Sequence, residues 1–97
     1  MQARYLVPAR TELFEAAHYY SGISMRLAVD FMREVERAVS EIEAFPQSAP
    51  MLADSVRRKV LRKYPHSLLY LTEPDAIVIL AVMHHKRRPG YWEDRMT

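Results

Sequence analysis

The sequence predicts an α+β fold, with an N-terminal strand and a two-helix hairpin packed on a small, mainly antiparallel β-sheet. Two patterns and one length carry that expectation. Apolar residues of the first half recur at helical spacing, whereas those of the second half form short runs rich in Val, Ile, Leu and Tyr between turn residues. Ninety-seven residues suit a single hydrophobic core, so residues 1–97 are expected to form one domain.

Gln2 to Val7 is short and mostly apolar and reads as a first strand. Pro8 follows at a place where a helix's first turn tolerates a missing N–H. Leu13, Ala16, Ala17 and Tyr20 then recur on one helical face, and Gly22 is the expected stop. Ser24 is the expected N-cap of a second helix. There Leu27, Phe31, Val35, Ala38 and Ile42 form a stripe, widened by Met32 and Val39, with charged residues between them facing water. Phe45-Pro46 ends it. Beyond a loop holding Pro46 and Pro50, three strands are expected, at Val56 to Tyr64, His66 to Thr72 and Ala76 to Met83. Glu73-Pro74-Asp75 joins the last two as an antiparallel hairpin. The final strand has no polar alternation and therefore needs cover on both faces. Helices supply one cover; the tail around Tyr91-Trp92, or a partner, must supply the other.

Nearly half the residues are hydrophobic, enough for a packed core and contrary to a disordered composition. The absence of cysteine removes disulfides, thiolate metal sites and a cysteine nucleophile. The longest apolar run, Ala76 to Met83, is too short to span a bilayer, and no charged-then-apolar leader pattern opens the sequence. A soluble, cytoplasmic protein without membrane attachment is the expectation. Net charge is only +2, but its distribution is uneven. Residues 1–50 hold five arginines against seven carboxylates, and residues 51–97 hold nine Lys/Arg against five. Such asymmetry is expected where one face meets an acidic partner, whether nucleic acid or an acidic protein segment.

Two segments concentrate the chemistry. The first is Arg57-Arg58-Lys59-Val60-Leu61-Arg62-Lys63, five cations in seven positions with no acid among them. On a strand Arg58 and Arg62 share one face while Arg57, Lys59 and Lys63 share the other. A solvated edge strand needs only a charge or two, and five suggest a surface for phosphate or carboxylate. The second runs from His84 to Arg95 and holds His84, His85, Lys86, Arg87, Arg88, Tyr91, Trp92 and Arg95. Adjacent histidines on an extended chain point to opposite faces, and no clustered carboxylates complete a coordination sphere, so no metal and no cofactor are expected. Tyr91 or Trp92 could stack a base beside an arginine, or plug the open face of the sheet. For Trp92 the plug is the favoured reading. His18, His66 and the pair Tyr19-Tyr20 read as structural.

Local phrases, taken in order, carry a family likeness. They are Ala16-Ala17-His18-Tyr19-Tyr20, then Phe31 to Ala38, Phe45-Pro46, Val56 to Pro65, and Ile77 to His85. The last is Arg88-Pro89-Gly90-Tyr91-Trp92 followed by Arg95. Across nearly the whole chain this order resembles the RelE/ParE superfamily of toxins. The resemblance implies a RelE/ParE-like fold and the toxin of a type II toxin–antitoxin module, held in a hetero-oligomer by a cognate antitoxin that covers its basic surface. It implies one of two targets. RelE-like members cleave messenger RNA in the ribosome, and ParE-like members, associated with plasmid stabilisation, block DNA gyrase without catalytic residues of their own.

RNA cleavage needs a base, cations at the phosphate and a proton source. By the resemblance, Arg58 and Arg62 stand for the enzymes' basic strand, Tyr91 for their tyrosine, and His85 for their strand-end arginine. The helical hairpin and the Pro89-Gly90-Tyr91-Trp92 phrase resemble ParE-like members more closely. On that branch Arg57, Arg58, Lys59, Arg62, Lys63, His84, Arg87, Arg88, Trp92 and Arg95 are the expected contacts to target or antitoxin, and the chain is no enzyme. A toxin fold that has lost toxicity and only binds a partner is the third reading.

Overall fold

A computed structural model describes residues 1–96. The elements are β1 (Ala3–Tyr5), α1 (Val7–Ile23), α2 (Met25–Ala44), β2 (Met51–Ala53), β3 (Val56–Val60), β4 (His66–Glu73), β5 (Ala76–His84) and a closing 3-10 turn, Glu93–Met96. The five strands form one mixed sheet in the order β1-β5-β4-β3-β2. Only β1 runs parallel to its neighbour, with Ala3 opposite Ile77 and Tyr5 opposite Ile79. The α+β architecture is as the sequence led us to expect.

Pro8 sits in the first turn of α1, where its lack of an N–H leaves no bond unmade. The helix passes through Gly22, the expected stop, and ends at Ser24, whose extended backbone (φ −166°) breaks the helical run. Nothing there requires a left-handed residue, so glycine's special freedom goes unused. Ser24 also caps α2: its hydroxyl accepts the Leu27 N–H at 3.1 Å. From α2 the stripe Ala28, Phe31, Val35, Ala38 and Ile42 is buried at spacings of three and four. From Phe31 onward it meets Leu68, Tyr70, Ile77, Ile79 and Val82 of the sheet in the larger core.

The strand expected from Val56 to Tyr64 stops at Val60. Lys63 adopts a left-handed backbone (φ 68°), and Tyr64 turns back under the helices, where its hydroxyl donates to Asp30 at 2.6 Å. The turn is pinned from α2, because buried Glu34 accepts the Arg62 N–H at 2.5 Å. Arg62 and Lys63 therefore lie on a loop and not on the strand faces assigned from alternation. β2 is a short, fully exposed strand that pattern reading missed. It flanks β3, so the basic strand is next to the sheet's edge and not the edge itself.

One irregularity sets the faces of the central hairpin. Tyr70 pairs with Ile79 but Leu69 pairs with Ala81, which leaves Leu80 as an extra residue, a β-bulge. A one-residue slip exchanges the two faces of everything beyond it. Leu80, Ala81 and Met83 therefore join Val56, Leu69, Val78 and Trp92 in a second core on the face away from the helices. Trp92 is only 4% exposed and is the cover that the apolar last strand demanded.

Candidate functional site

The five cations of residues 57–63 have different surroundings. Arg57 turns to the helix side and donates to the carbonyls of Gln47 (3.0 Å) and Ala49 (2.7 Å), fastening the loop after α2. Lys59, on the same face, pairs with Glu41 at 3.0 Å, and Glu41 also takes Arg37. Lys63 lies 3.7 Å from Asp30 but is 73% exposed, so that contact adds little stability. Arg62 projects into solvent. Arg58 alone faces the opposite side, where its Nε donates to the Ser67 hydroxyl at 3.0 Å.

The bulge at Leu80 decides which of the two adjacent histidines faces the helices. His84 turns toward the helices, its ring 5.0 Å from that of His66, and its Nδ1 accepts the Lys86 N–H. His85 turns to the other face, with its Nε2 2.9 Å from the Ser67 hydroxyl. Because Ser67 already accepts from Arg58, its own proton is free to go to His85 Nε2. Arg58, Ser67 and His85 are thus linked in one hydrogen-bonded chain. Burial, followed by the positive charge of Arg58, lowers the His85 pKa and keeps the ring neutral. A cleft of about 300 Å³ opens beside this chain, walled by Leu52, Ala53, Met83, Arg87, Pro89 and Trp92 among others. Ser67 escaped sequence reasoning because a fully buried serine inside an apolar strand carries no pattern.

Tyr91 belongs elsewhere. Its hydroxyl donates to Glu12 of α1 at 2.7 Å, and Arg87 and Arg95 stack on its ring at 4.0 and 5.0 Å. Burial and then the Glu12 carboxylate push its pKa far upward. Glu12 also receives both terminal nitrogens of Arg95, at 2.8 and 3.0 Å. Arg88 stands exposed. Of the residues expected to serve RNA cleavage, Arg58 and His85 are brought together through Ser67. Tyr91 is held on Glu12, and Arg62 lies on the loop beyond β3. Of the expected contact residues, Arg62, Lys63, Arg87 and Arg88 are exposed, while Trp92 is buried.

A second cleft, of about 470 Å³, lies on the helix side between Tyr19, Tyr20 and Ile23 of α1 and the strand ends carrying His66, Val82 and His84. Among the described residues no group of three His, Asp or Glu side chains is placed to hold a metal ion. No helix of the described residues is long and apolar enough to cross a membrane.

Fold and site together define a small α+β domain whose second half presents cations around a bulged hairpin. The sequence-family model described as the ParE toxin of type II toxin–antitoxin system, parDE, matches residues 3–89. The chain belongs to that family, on the ParE-like side of the RelE/ParE superfamily. Among solved structures it is similar to a chain of the chromosomal ParDE toxin–antitoxin system from P. aeruginosa, with a TM-score of 0.75 and 20% identity. That match covers 87% of this chain and 95% of the other, and it speaks to the shared fold. No curated protein matches the chain.

Proposed function

We propose that this toxin acts on DNA gyrase in the cytoplasm, and that a cognate antitoxin silences it in a hetero-oligomer by covering the basic half. The observation behind this reading is the state of the groups that RNA cleavage would need. The Tyr91 hydroxyl is bonded to Glu12, and the Nε2 of His85 is hydrogen-bonded to Ser67. A general acid or base must reach the proton it transfers, and both of these are engaged within the fold. A docking surface needs no titrating group, only presented charge and shape. Arg62, Lys63, Arg87 and Arg88, with His84 and the terminal nitrogens of Arg58, make that contact surface. Arg57, Lys59, Trp92 and Arg95 are engaged within the fold.

One observation favours RNA cleavage as the second reading: Arg58, Ser67 and His85 form a linked cluster beside a cleft. A single experiment separates the two. The chain is induced alone and DNA synthesis and translation are followed in parallel. On the gyrase reading DNA synthesis stops first, purified toxin inhibits supercoiling, and His85→Ala and Tyr91→Phe stay within a few-fold of the parent. On the nuclease reading translation stops first and each substitution costs orders of magnitude. Normal growth on induction would remove both and leave a partner-binding relic.

A further inference from the structure

We infer that Glu12 is a positioning residue, through which the first helix fixes the pose of the C-terminal strap that carries Arg87 and Arg88. This deepens the reading of that strap as target-binding surface and rests on it.

The argument begins at the edge of β5. β1 ends at Tyr5, and its pairing with β5 reaches only Ile79; the Leu6 N–H makes the last bond, to the Ile79 carbonyl. Past that point β5 has no strand neighbour on this side, and the bulge at Leu80 decides which of its polar backbone groups point there. Side chains complete it. Glu12 Oε1 accepts the Val82 N–H at 3.0 Å, and Arg95 Nη1 donates to the Leu80 carbonyl at 3.0 Å. The two side chains also pair with each other through both carboxylate oxygens, and each is only about one-seventh exposed. Glu12 thus accepts four hydrogen bonds from three elements: β5, Tyr91 and the closing turn.

This carboxylate explains why the strap lies where it does. Tyr91 is oriented by its bond to Glu12, and its ring is the platform on which Arg87 rests at 4.0 Å. With Glu12 neutralised, the Arg95 guanidinium loses its hydrogen-bonded counter-charge, keeps only the weaker pull of Asp94, and gains by moving to water. That movement takes Tyr91 with it and leaves Arg87 without its platform. Trp92, the other anchor of the strap, then loosens from the second core.

The test uses the purified full chain and three variants, Glu12→Gln, Arg95→Met and Tyr91→Phe, with amide exchange, emission of the single tryptophan and inhibition of gyrase supercoiling as readouts. Expected for Glu12→Gln is a protein that still unfolds cooperatively, whose exchange over residues 86–96 rises at least tenfold. Its tryptophan emission shifts to the red, and its half-inhibitory concentration rises at least tenfold. Arg95→Met gives the same result, and the double variant is no worse than either single one, because both remove one clamp. Tyr91→Phe removes the orienting bond but keeps the ring and the Arg95 clamp, so each readout falls between the parent and Glu12→Gln.

Unchanged exchange in folded Glu12→Gln overturns the inference, as does faster exchange with undiminished inhibition. Additive losses in the double variant overturn it too. If the parent chain does not inhibit gyrase, the proposed target is wrong, and exchange with the double variant still decides the role of Glu12. Should Glu12→Gln fail to fold, Arg95→Met decides it; failure of both means a purely structural role.

Discussion

Acidification from pH 7 to 4.5 should destabilise this protein through one buried imidazole, His66. Its side chain is packed edge-on against Phe31 (5.2 Å), Tyr20 (6.2 Å) and His84 (5.0 Å), and its Nδ1 is buried without a hydrogen-bond partner. Burial first, and then the neighbouring histidines His84 and His85, lower its pKa from 6.5 to about 4. Between those values the unfolded chain takes up a proton that the folded chain refuses. Stability is therefore at its plateau above pH 6.5, falls as pH drops through the window, and levels near pH 4. Each pH unit inside the window is worth about 1.4 kcal/mol for a full proton difference. Because His66 borders the 470 Å³ cleft, water softens the penalty, and the expected loss at pH 4.5 is about 2 kcal/mol. That is a large share of the ~5–15 kcal/mol typical of a folded domain. Urea unfolding at pH 7.5, 6.5, 5.5 and 4.5, followed by tryptophan emission and circular dichroism, measures it. His66→Phe keeps the ring contacts and removes the titration, so it should flatten most of the slope. His85, shifted in the same direction, and the depressed carboxylates Glu34 and Glu41 account for what slope remains. A His66→Phe protein with the parent's full pH dependence would refute the reasoning.

Substitutions at two further positions probe the supports of the basic surface. Glu34 is 8% exposed and takes two hydrogen bonds from Arg37, each 2.7 Å, besides the Arg62 N–H, which together hold its pKa below the usual carboxylate range. Glu34→Gln should cost about 2–3 kcal/mol at pH 7 in urea unfolding, and the difference from the parent should shrink below pH 4 as the parent's carboxylate protonates. Trp92 fills the face opposite the helices, so Trp92→Ala should cost about 3–5 kcal/mol and Trp92→Phe about 1–2 kcal/mol, both read from thermal melts. A Trp92→Ala protein as stable as its parent would mean that the tail does not seal the second core.

Local patterns sufficed for most of the elements, because helical and strand periodicities are short-range properties of the chain. The α2 stripe from Phe31 to Ile42, the Ser24 cap and the hairpin around Pro74-Asp75 all read directly from residue order, although the stripe's first buried residue is Ala28 and not Leu27. The need to cover the last strand on both faces was likewise legible, since Ala76 to Met83 offers water no polar side. The charge of residues 57–63 and 84–95 was visible, but its use was not. Whether an arginine is a contact or a fastener depends on what lies across from it, as Arg57 on the Gln47 and Ala49 carbonyls and Arg95 on Glu12 illustrate.

The sequence by itself determined the class of fold, the order of the elements and the basic half, because each follows from side-chain chemistry within a few residues. Tertiary structure alone decided how the candidate groups combine. The bulge at Leu80 is a property of pairing between two strands, and it reverses the faces of every residue after it. It sends His84 to His66 and His85 to Ser67 and Arg58. The parting of Tyr91 from His85 is equally non-local, since the hydroxyl's partner, Glu12, lies at the other end of the chain. No spacing within residues 84–95 encodes a bond to the first helix.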